Sequence, residues 1–447
     1  SEARKDVLGL FKEKNIDAVM LDEQDTKLGS VETYAHAKAC ADLFKANRER
    51  IVGIVVILPN FGDEKGVADT IKLSGLNVPI LVQAYPDDLE AFNVERRRDA
   101  FCGKVSVCNN LRQYGFNFTL TSLHTSKPLS DSFKKDLEKF ISVCNVVKGL
   151  RTARLGAIGA RPGAFNTVRY SEKILQATGI TVTTVDLSEI LGNSNRLSDD
   201  APQVKAKLDE IHAYAKHDTV PSPAIVRMAK LGVVISDWMQ ANDIQATALQ
   251  CWTSLQKNYG INACTLMSMM SNQLMPSACE TDITGVVSMY ALQLASDTPG
   301  ALVDWNNNYA DDPDRCVLFH CGNWAKSFIP DIEIKTAPIL GTTLGEENTY
   351  GAMAGRAVAG PMTYARVSTD DVHGIVRAYT GQGDLTNDPL DTFGNRAVVY
   401  TPGLQKLLAY LCKSGFEHHV AMSMGSVANA LDEAFTTYMG WENYNHS

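Results

Sequence analysis

Residues 51–58 read IVGIVVIL, a continuous apolar run that ends at the turn sequence PNFG of residues 59–62. Such a run is typical of a parallel β-strand that is buried on both faces. A helical pattern follows over residues 65–74, and a second strand pattern covers residues 78–82. Strand, helix and strand in this order predict a parallel α/β sheet.

The same order recurs in the next part of the chain. Residues 155–159 read LGAIG and residues 180–185 read ITVTTV, with a helical pattern between them. These segments predict a second parallel sheet. A long helical pattern over residues 130–148 is expected to connect the two sheets.

The residue pattern of the sequence changes after about residue 330. Short apolar runs such as AVVY at residues 397–400 alternate with threonine, glycine and turn signals, which indicates antiparallel strands. We therefore predict an α/β protein with two Rossmann-like parallel α/β domains followed by a mostly antiparallel β C-terminal domain. The predicted domain ranges are 1–150, 151–330 and 331–447.

Composition argues against several classes of protein. Of the 447 residues, 45% are hydrophobic and 21% are charged, which is ordinary for a globular protein. No apolar run approaches the ~20 residues of a membrane-spanning helix, so no membrane partner is expected. The formal net charge is −9 and no dense lysine or arginine cluster occurs, so a nucleic-acid partner is not expected.

Two further features predict a cytoplasmic location. Residues 1–16 lack the apolar core of a signal peptide. The ten cysteines are scattered and form no paired CxxC motifs. They are therefore expected to be buried free thiols in a reducing compartment.

Three side chains that can bind metal follow short apolar segments in one part of the chain. Glu280 stands in small, apolar surroundings just before a helical pattern. Asp304 follows the apolar residues 301–303, and His320 follows the run CVLF of residues 316–319. In α/β enzymes, the ends of apolar strands are where chemistry is placed.

Each of these residues also has a purely structural interpretation. Glu280 can cap a helix, Asp304 can cap a turn, and His320 can be a hydrogen-bonded core histidine. Considered together with the pair His418-His419 near the C-terminus, they favour a metal site. Two carboxylates with one or two imidazoles suit Mn²⁺ or another divalent ion such as Mg²⁺ or Co²⁺.

The segment resembles the L-fucose isomerase and L-arabinose isomerase superfamily of metal-dependent ketol isomerases. Asp304 stands 24 positions after Glu280, as the paired acids of that family do, and HHVAMS from His418 is similar to its C-terminal histidine motif. GPMTYARV at residues 360–367 resembles a motif of its C-terminal domain. The resemblance implies that Glu280, Asp304 and His419 bind the metal and that both acids are catalytic.

The resemblance also implies roles for other residues. His320 stands where arabinose-type members have a further histidine ligand, which fucose-type members do not use. Gln250 resembles the substrate-binding glutamine of the family, and His418 is expected to contact substrate. Trp252 and Trp305 can offer apolar faces to a sugar, although core packing explains them equally well. The candidate substrate-binding set is Gln250, Trp252, Trp305, Asn306 and His418.

The implied function is an aldose–ketose isomerase that acts through a metal-stabilised cis-enediolate. Two carboxylates can act as base and acid and exchange these roles with the direction of reaction, and the pattern does not decide which one abstracts the proton. The substrate is expected to be a pentose or a modified or 6-deoxy hexose: L-fucose, D- or L-arabinose, or a hexose modified at C6, including a sulfonated one. Family resemblance further implies a homo-oligomer, typically a hexamer.

Two alternatives come from other functional classes. A non-enzymatic sugar-binding protein with two α/β lobes explains the first 330 residues, but it does not explain the β domain or the set of two acids and a histidine. An NAD-dependent sugar dehydrogenase requires a dinucleotide motif. The closest stretch, GAIGARPG at residues 156–163, departs from GxGxxG and is interrupted by proline.

Overall fold

The structure is a computed structural model that describes residues 2–446. It divides into two compact units. The first reaches to Lys148 and takes in Thr436–Gly440, and the second comprises Gly149–Phe435 and the chain from Trp441. The three domain ranges inferred from the sequence remain a prediction.

The first unit contains a three-stranded parallel sheet in the order β1-β2-β3. The helix between β1 and β2 begins where the side chain of Asp63 accepts the N–H of Gly66, and it ends at Gly75, which has a left-handed backbone. The parallel pairing predicted for this region is confirmed. The elements up to Arg151 are α1 (Glu2–Glu13), α2 (Tyr34–Ala46), β1 (Ile54–Leu58), α3 (Glu64–Ser74), β2 (Ile80–Ala84), α4 (Ala100–Gln113), β3 (Thr119–Leu120) and α5 (Asp131–Arg151).

The second unit contains a four-stranded parallel sheet in the order β5-β4-β6-β7. Its strands have three to five residues each, and helices separate them along the chain, as the sequence pattern indicates. The elements are β4 (Arg154–Ile158), α6 (Glu172–Ala177), β5 (Thr181–Val185), α7 (Leu187–Arg196), α8 (Pro202–Tyr214), α9 (Ser222–Ala241), β6 (Ala246–Leu249), α10 (Ser254–Tyr259), α11 (Cys264–Asn272), β7 (Ser277–Cys279) and α12 (Ile283–Ser296).

The remaining strands form a nine-stranded sheet that is mostly antiparallel, in the order β10-β11-β14-β9-β8-β15-β12-β13-β16. Because β13 also pairs with β14, six of these strands close into a ring. The elements are β8 (Gly300–Asn308), β9 (Arg315–His320), β10 (Glu333–Lys335), α13 (Pro338–Leu344), β11 (Ala352–Arg356), β12 (Gly360–Asp370), β13 (Ile375–Thr386), β14 (Asn395–Tyr400), α14 (Leu404–Ser414), β15 (His419–Met424), α15 (Ala428–Glu433), a π-helical turn (Ala434–Tyr438) and β16 (Glu442–His446).

Strands β8 and β9 correct one expectation about Asp304. These strands lie within the range predicted for the central α/β domain, yet they pair in the large antiparallel sheet. Asp304 is inside β8 and does not end a parallel strand. The polar residues after it resemble a turn in the sequence, but the strand continues through them, with an irregularity between Trp305 and Asn308.

One hydrophobic core joins the two sheets of the second unit. It contains Leu249 from the parallel sheet together with Val303 and Val420 from the large sheet. Helix α12 packs against β12 and β15. This shared core holds the ends of β6 and β7 against β8 and β15. Within residues 2–446, none of the helices combines the length and the apolarity needed to cross a lipid bilayer.

Candidate active site and metal centre

The first acid lies at the carboxyl edge of the parallel sheet. Glu280 follows the last residue of β7, and Gln250 follows the last residue of the neighbouring strand β6. Open α/β sheets bind ligands at this edge. Glu280 and Thr281 have φ angles of 63° and 55°, a left-handed conformation that is costly for residues other than glycine. The strained turn therefore lies at the residue predicted to be catalytic.

The second acid and the histidine meet in the large sheet. Asp304 of β8 is directly opposite His419, the first residue of β15, in the antiparallel register. Side chains of directly opposed residues project from the same face of a sheet. Asp304 Oδ1 is 3.5 Å from His419 Nε2. Strand pairing thus brings together two residues that are distant in sequence.

The predicted metal ligands converge on one point. Glu280 Oε2 is 3.2 Å from His419 Nε2, so both carboxylates approach the same ring nitrogen. Ligand atoms of Glu280, His320 and His419 lie within 4.8 Å of one another, as do those of Asp304, His418 and His419. His320 therefore lies beside Glu280 and His419, and its role as a fourth ligand remains a prediction.

Two carboxylate oxygens in this group require a partner. Glu280 Oε2 and Asp304 Oδ1 are buried and accept no well-formed hydrogen bond within residues 2–446, and both lie at ion-pair distance from the one nitrogen Nε2 of His419. Two buried carboxylates that share a single cationic neighbour leave negative charge incompletely neutralised. A divalent cation between these oxygens and the imidazole nitrogens would satisfy both. The residues therefore fit a divalent metal ion, although they do not specify which one.

Burial and neighbouring charges shift the pKa values of the predicted ligands. Burial lowers the pKa of His320, which favours the neutral imidazole, and its Nδ1 accepts the backbone N–H of Cys321 at 3.0 Å. Burial by itself would raise the pKa of Glu280, but the neighbouring His419 and the indole of Trp252 hold it below its ordinary value. Burial would lower the pKa of His419, yet Asp282 and Glu280 raise it to about 10. A cation at Nε2 of His419 must therefore displace a proton.

Three charged residues behind His419 were missed by the sequence analysis: Asp282, Arg366 and Glu417. Asp282 Oδ2 accepts a hydrogen bond from His419 Nδ1 at 2.8 Å. Arg366 is fully buried and pairs with Asp282. The signal was present, because Arg366 lies in the motif of residues 360–367 and Glu417 directly precedes the histidine pair, but the sequence did not show that these segments meet.

Gln250 and Trp252, two of the predicted substrate-binding residues, lie just beyond the end of β6. The Trp252 indole donates a hydrogen bond to Glu280 Oε1 at 3.1 Å. The side-chain oxygen of Gln250 accepts the backbone N–H of Ala160 at 3.0 Å, which ties the loop after β4 to the end of β6. The Gln250 amide nitrogen is the atom that remains for a sugar hydroxyl.

Phe165 forms a wall of the site and was not predicted. Its ring contacts Trp252 edge-on at 5.3 Å between centroids and His418 edge-on at 5.4 Å. The side chain of His418 is 40% exposed, whereas that of Glu280 is 7% exposed. The site is therefore open on the side of His418 and closed around Glu280.

Trp305 and Asn306 are neighbours on β8 but have different surroundings, because Trp305 is half-buried and Asn306 is exposed. The Trp305 indole donates to the hydroxyl of Tyr379 at 2.9 Å and packs edge-on against Tyr364, which favours the core-packing interpretation for this residue. Asn306 is exposed, and its side-chain oxygen accepts the N–H of Asn307. Because the irregularity of β8 begins at Trp305, the alternation of the strand does not fix which face Asn306 occupies.

Cys251 and Cys279 form a disulfide, which corrects the expectation that all ten cysteines are free. Cys279 pairs with Leu249 in the register of β6 and β7, and Cys251 lies two positions beyond Leu249. Their Cα atoms are 5.8 Å apart although 28 positions separate them in sequence. No short motif marks such a pair, because only the strand pairing makes the two thiols neighbours. The cytoplasmic prediction loses the support of uniformly reduced cysteines.

Thiol titration checks the disulfide. We expect eight thiols per chain to react in denaturant without reductant, and ten after reduction. Because the cross-link closes a loop of this length, reduction should lower the free energy of unfolding in urea by about 3–4 kcal/mol. Cys412→Ser, at an exposed free cysteine, should leave that difference unchanged. Ten reactive thiols before reduction would contradict the disulfide.

Both ends of the chain match known protein families. Residues 1–151 match the family described as "Fucose/sulfoquinovose isomerase, N-terminal domain", and residues 318–446 match "L-fucose isomerase, C-terminal domain". A sulfoquinovose isomerase from Priestia aryabhattai is 25% identical over 345 residues, covering 75% of this chain and 74% of the relative. A sulfoquinovose isomerase from Clostridium sp. (strain MSTE9) is 23% identical over 75% of this chain and 74% of the relative. One from Alkalicoccus urumqiensis is 23% identical over 49% of this chain and 48% of the relative.

The fold, the acid–histidine site and these matches define an aldose–ketose isomerase that acts on a sugar, an intramolecular oxidoreductase. A non-catalytic sugar-binding protein and a nicotinamide-dependent dehydrogenase are both disfavoured. The chain belongs to the L-fucose isomerase family, and the resemblance inferred from the sequence is thereby confirmed.

Proposed function

We propose that this enzyme interconverts the aldose and ketose forms of a pentose or of a hexose modified at C6, through a cis-enediolate and with a bound divalent ion. One observation carries the proposal: Glu280, Asp304 and His419 converge although they come from three separate strands or strand ends. The two unsatisfied carboxylate oxygens at that point support a cation there. Mn²⁺ is the ion we propose, with Mg²⁺ and Co²⁺ as alternatives.

Glu280 and Asp304 are proposed both to hold the ion and to transfer protons. When bound, a divalent ion supplies a Lewis acid for the charge that develops on the two sugar oxygens. One carboxylate removes a proton from a sugar carbon and the other handles a hydroxyl proton, and the reverse reaction exchanges these roles. Glu280 is the more buried of the two, with 7% of its side chain exposed, whereas 26% of the Asp304 side chain is exposed.

The remaining residues are proposed to orient the sugar and to exclude water. His418 lies at the open side, 3.7 Å from Asp304, where its ring can hydrogen-bond a sugar hydroxyl. The Gln250 amide can do the same from the edge of the parallel sheet. Trp252 and Phe165 present apolar rings that can cover C–H surface of the sugar and reduce access of water to Glu280.

The substrate is proposed from the chemistry of the relatives. The relatives described above carry the name sulfoquinovose isomerase, which makes a hexose sulfonated at C6 the first sugar to test. L-fucose and D- and L-arabinose are the other candidates. All four have the aldehyde carbon and the adjacent hydroxyl-bearing carbon on which the carboxylates would act, and they differ in the configuration of their carbons and in the group at the distal end.

Metal removal combined with a sugar panel tests the function. After treatment with EDTA and dialysis, we expect the protein to form no ketose from any of these four sugars. Addition of Mn²⁺ should restore ketose formation from at least one of them, because the carboxylates alone cannot stabilise the charge that develops on the sugar oxygens. Undiminished turnover in protein shown by elemental analysis to be free of metal would contradict the proposal.

We also propose that the chain works as a homo-oligomer, with a hexamer as the family resemblance implies. Light scattering at the assay concentration should give a mass several times that of the 48.8 kDa chain. A stable and fully active monomer would contradict this assembly.

A further inference from the structure

A buried ion pair lies directly behind His419. The side chains of Arg366, on β12, and Asp282 have no exposed surface. Nη1 of Arg366 is 2.6 Å from Asp282 Oδ2, and Nη2 is 3.0 Å from Oδ1. Two parallel hydrogen bonds from a planar guanidinium fix the plane of a carboxylate as well as its position. Asp282 is therefore held in one orientation.

A second carboxylate holds the arginine. Glu417 Oε2 is 3.3 Å from Arg366 Nε, and Glu417 Oε1 accepts a hydrogen bond from the hydroxyl of Ser368 at 2.7 Å. Glu417 stands two positions before His419, where β15 begins. The arginine thus lies between two acids, Asp282 and Glu417, each of which is two positions away in sequence from a predicted metal ligand.

The first turn of α12 also holds Asp282. Oδ1 accepts the backbone N–H of Gly285 at 2.8 Å, as an N-terminal helix cap. A Cβ atom at Gly285 would lie 2.5 Å from Asp282 Oδ2, so a larger residue would displace the carboxylate. The position of Asp282 is therefore determined both by α12 and by β12.

The oxygen Oδ2 of Asp282 fixes the ring of His419. It accepts a hydrogen bond from Nδ1 at 2.8 Å, and because an ionised carboxylate can only accept, the proton lies on Nδ1. Nε2 is then the nitrogen that faces Glu280 and Asp304, at 3.2 and 3.5 Å. Metal-binding histidines commonly donate their other N–H to a carboxylate, which fixes both tautomer and ring orientation.

We propose that Asp282, clamped by Arg366, is a positioning residue that keeps the proton of His419 on Nδ1 and aims Nε2 at the metal site. This inference rests on the proposed role of His419 as a metal ligand. Stabilisation of the fold alone is a weaker explanation, because burying these charges carries a desolvation cost that apolar residues of similar volume avoid. The role also explains why the motif of residues 360–367 contains a buried arginine.

Metal affinity tests the positioning role independently of turnover. Asp282→Asn keeps the shape of the side chain but loses its charge. We expect the affinity of the metal-free protein for Mn²⁺, measured by calorimetry, to fall roughly 10–100-fold while the circular dichroism spectrum is unchanged. Excess Mn²⁺ should recover part of the turnover, because His419 is still present. Arg366→Lys keeps the positive charge without the planar fork and should change the affinity in the same direction.

Asp136→Asn is the matched control. Asp136 is a buried carboxylate of the first unit that accepts hydrogen bonds from the N–H and hydroxyl of Ser122, and its amide variant should leave Mn²⁺ affinity unchanged. A folded Asp282→Asn protein with wild-type affinity would overturn the proposal, as would an equal loss in the control. If Asp282→Asn does not fold, Arg366→Lys and Glu417→Gln decide by the same titration. Wild-type protein that binds no divalent ion would instead contradict the proposed function.

Discussion

Glu280→Gln is expected to lower kcat by roughly 10²–10⁴-fold and to leave the fold intact. The amide has the same size and can still accept the hydrogen bond from Trp252, so the strained turn after β7 keeps its contacts. It cannot take up a proton at neutral pH, and it is a poor metal ligand. Ketose formation at saturating Mn²⁺ measures the loss, and exchange of the sugar C–H proton with D₂O shows whether proton abstraction itself has stopped.

Glu333→Gln provides the control for this substitution. Glu333 lies on β10 in the same unit, and its carboxylate is 3.0 Å from Lys335 Nζ, so the same chemical change is made at an ordinary ion pair. Its turnover should match that of the wild type. A Glu280→Gln enzyme with a near-normal rate at saturating Mn²⁺ would refute the catalytic assignment of Glu280.

Asp304→Asn is the second substitution for which a loss of roughly 10²–10⁴-fold in turnover is expected. Asp304 Oδ1, like Glu280 Oε2, is a buried carboxylate oxygen of the proposed ligand set that accepts no well-formed hydrogen bond within residues 2–446, so an amide there offers a neutral group where the site needs a negative one. The loss should combine weaker Mn²⁺ binding with slower proton transfer. Calorimetry on the metal-free protein gives the first contribution, and kcat at saturating Mn²⁺ gives the second.

Asp314→Asn is the corresponding control, because Asp314 is also half-buried and caps the backbone N–H of Gly403 at 2.8 Å. It should affect neither Mn²⁺ affinity nor kcat. If Asp304→Asn binds Mn²⁺ as tightly as wild type and also turns over normally, Asp304 is neither a ligand nor a proton-transfer group.

Local patterns predicted the parallel sheets and the candidate acids. The run of residues 51–58 predicts a strand buried on both faces, and the structure has β1 within it, but burial alternates along the strand because Val55 and Ile57 are only half-buried. The boundaries shifted by a few residues: β2 begins at Ile80 and α5 ends at Arg151. Glu280 and Asp304 were chosen by residue type and by their 24-residue spacing, which are properties of a short segment.

What the sequence by itself determined was therefore the classes of local structure, the family resemblance and the side chains with the required chemistry. The tertiary structure decided which of them meet. Asp304 faces His419 because β8 and β15 are antiparallel neighbours, Cys251 reaches Cys279 because β6 and β7 are paired, and Asp282 is held by Arg366 because α12 packs on β12. In each case the decisive contact joins segments that are distant in the chain. Periodicity and capping patterns describe only neighbouring residues, so they contain no information about such pairings.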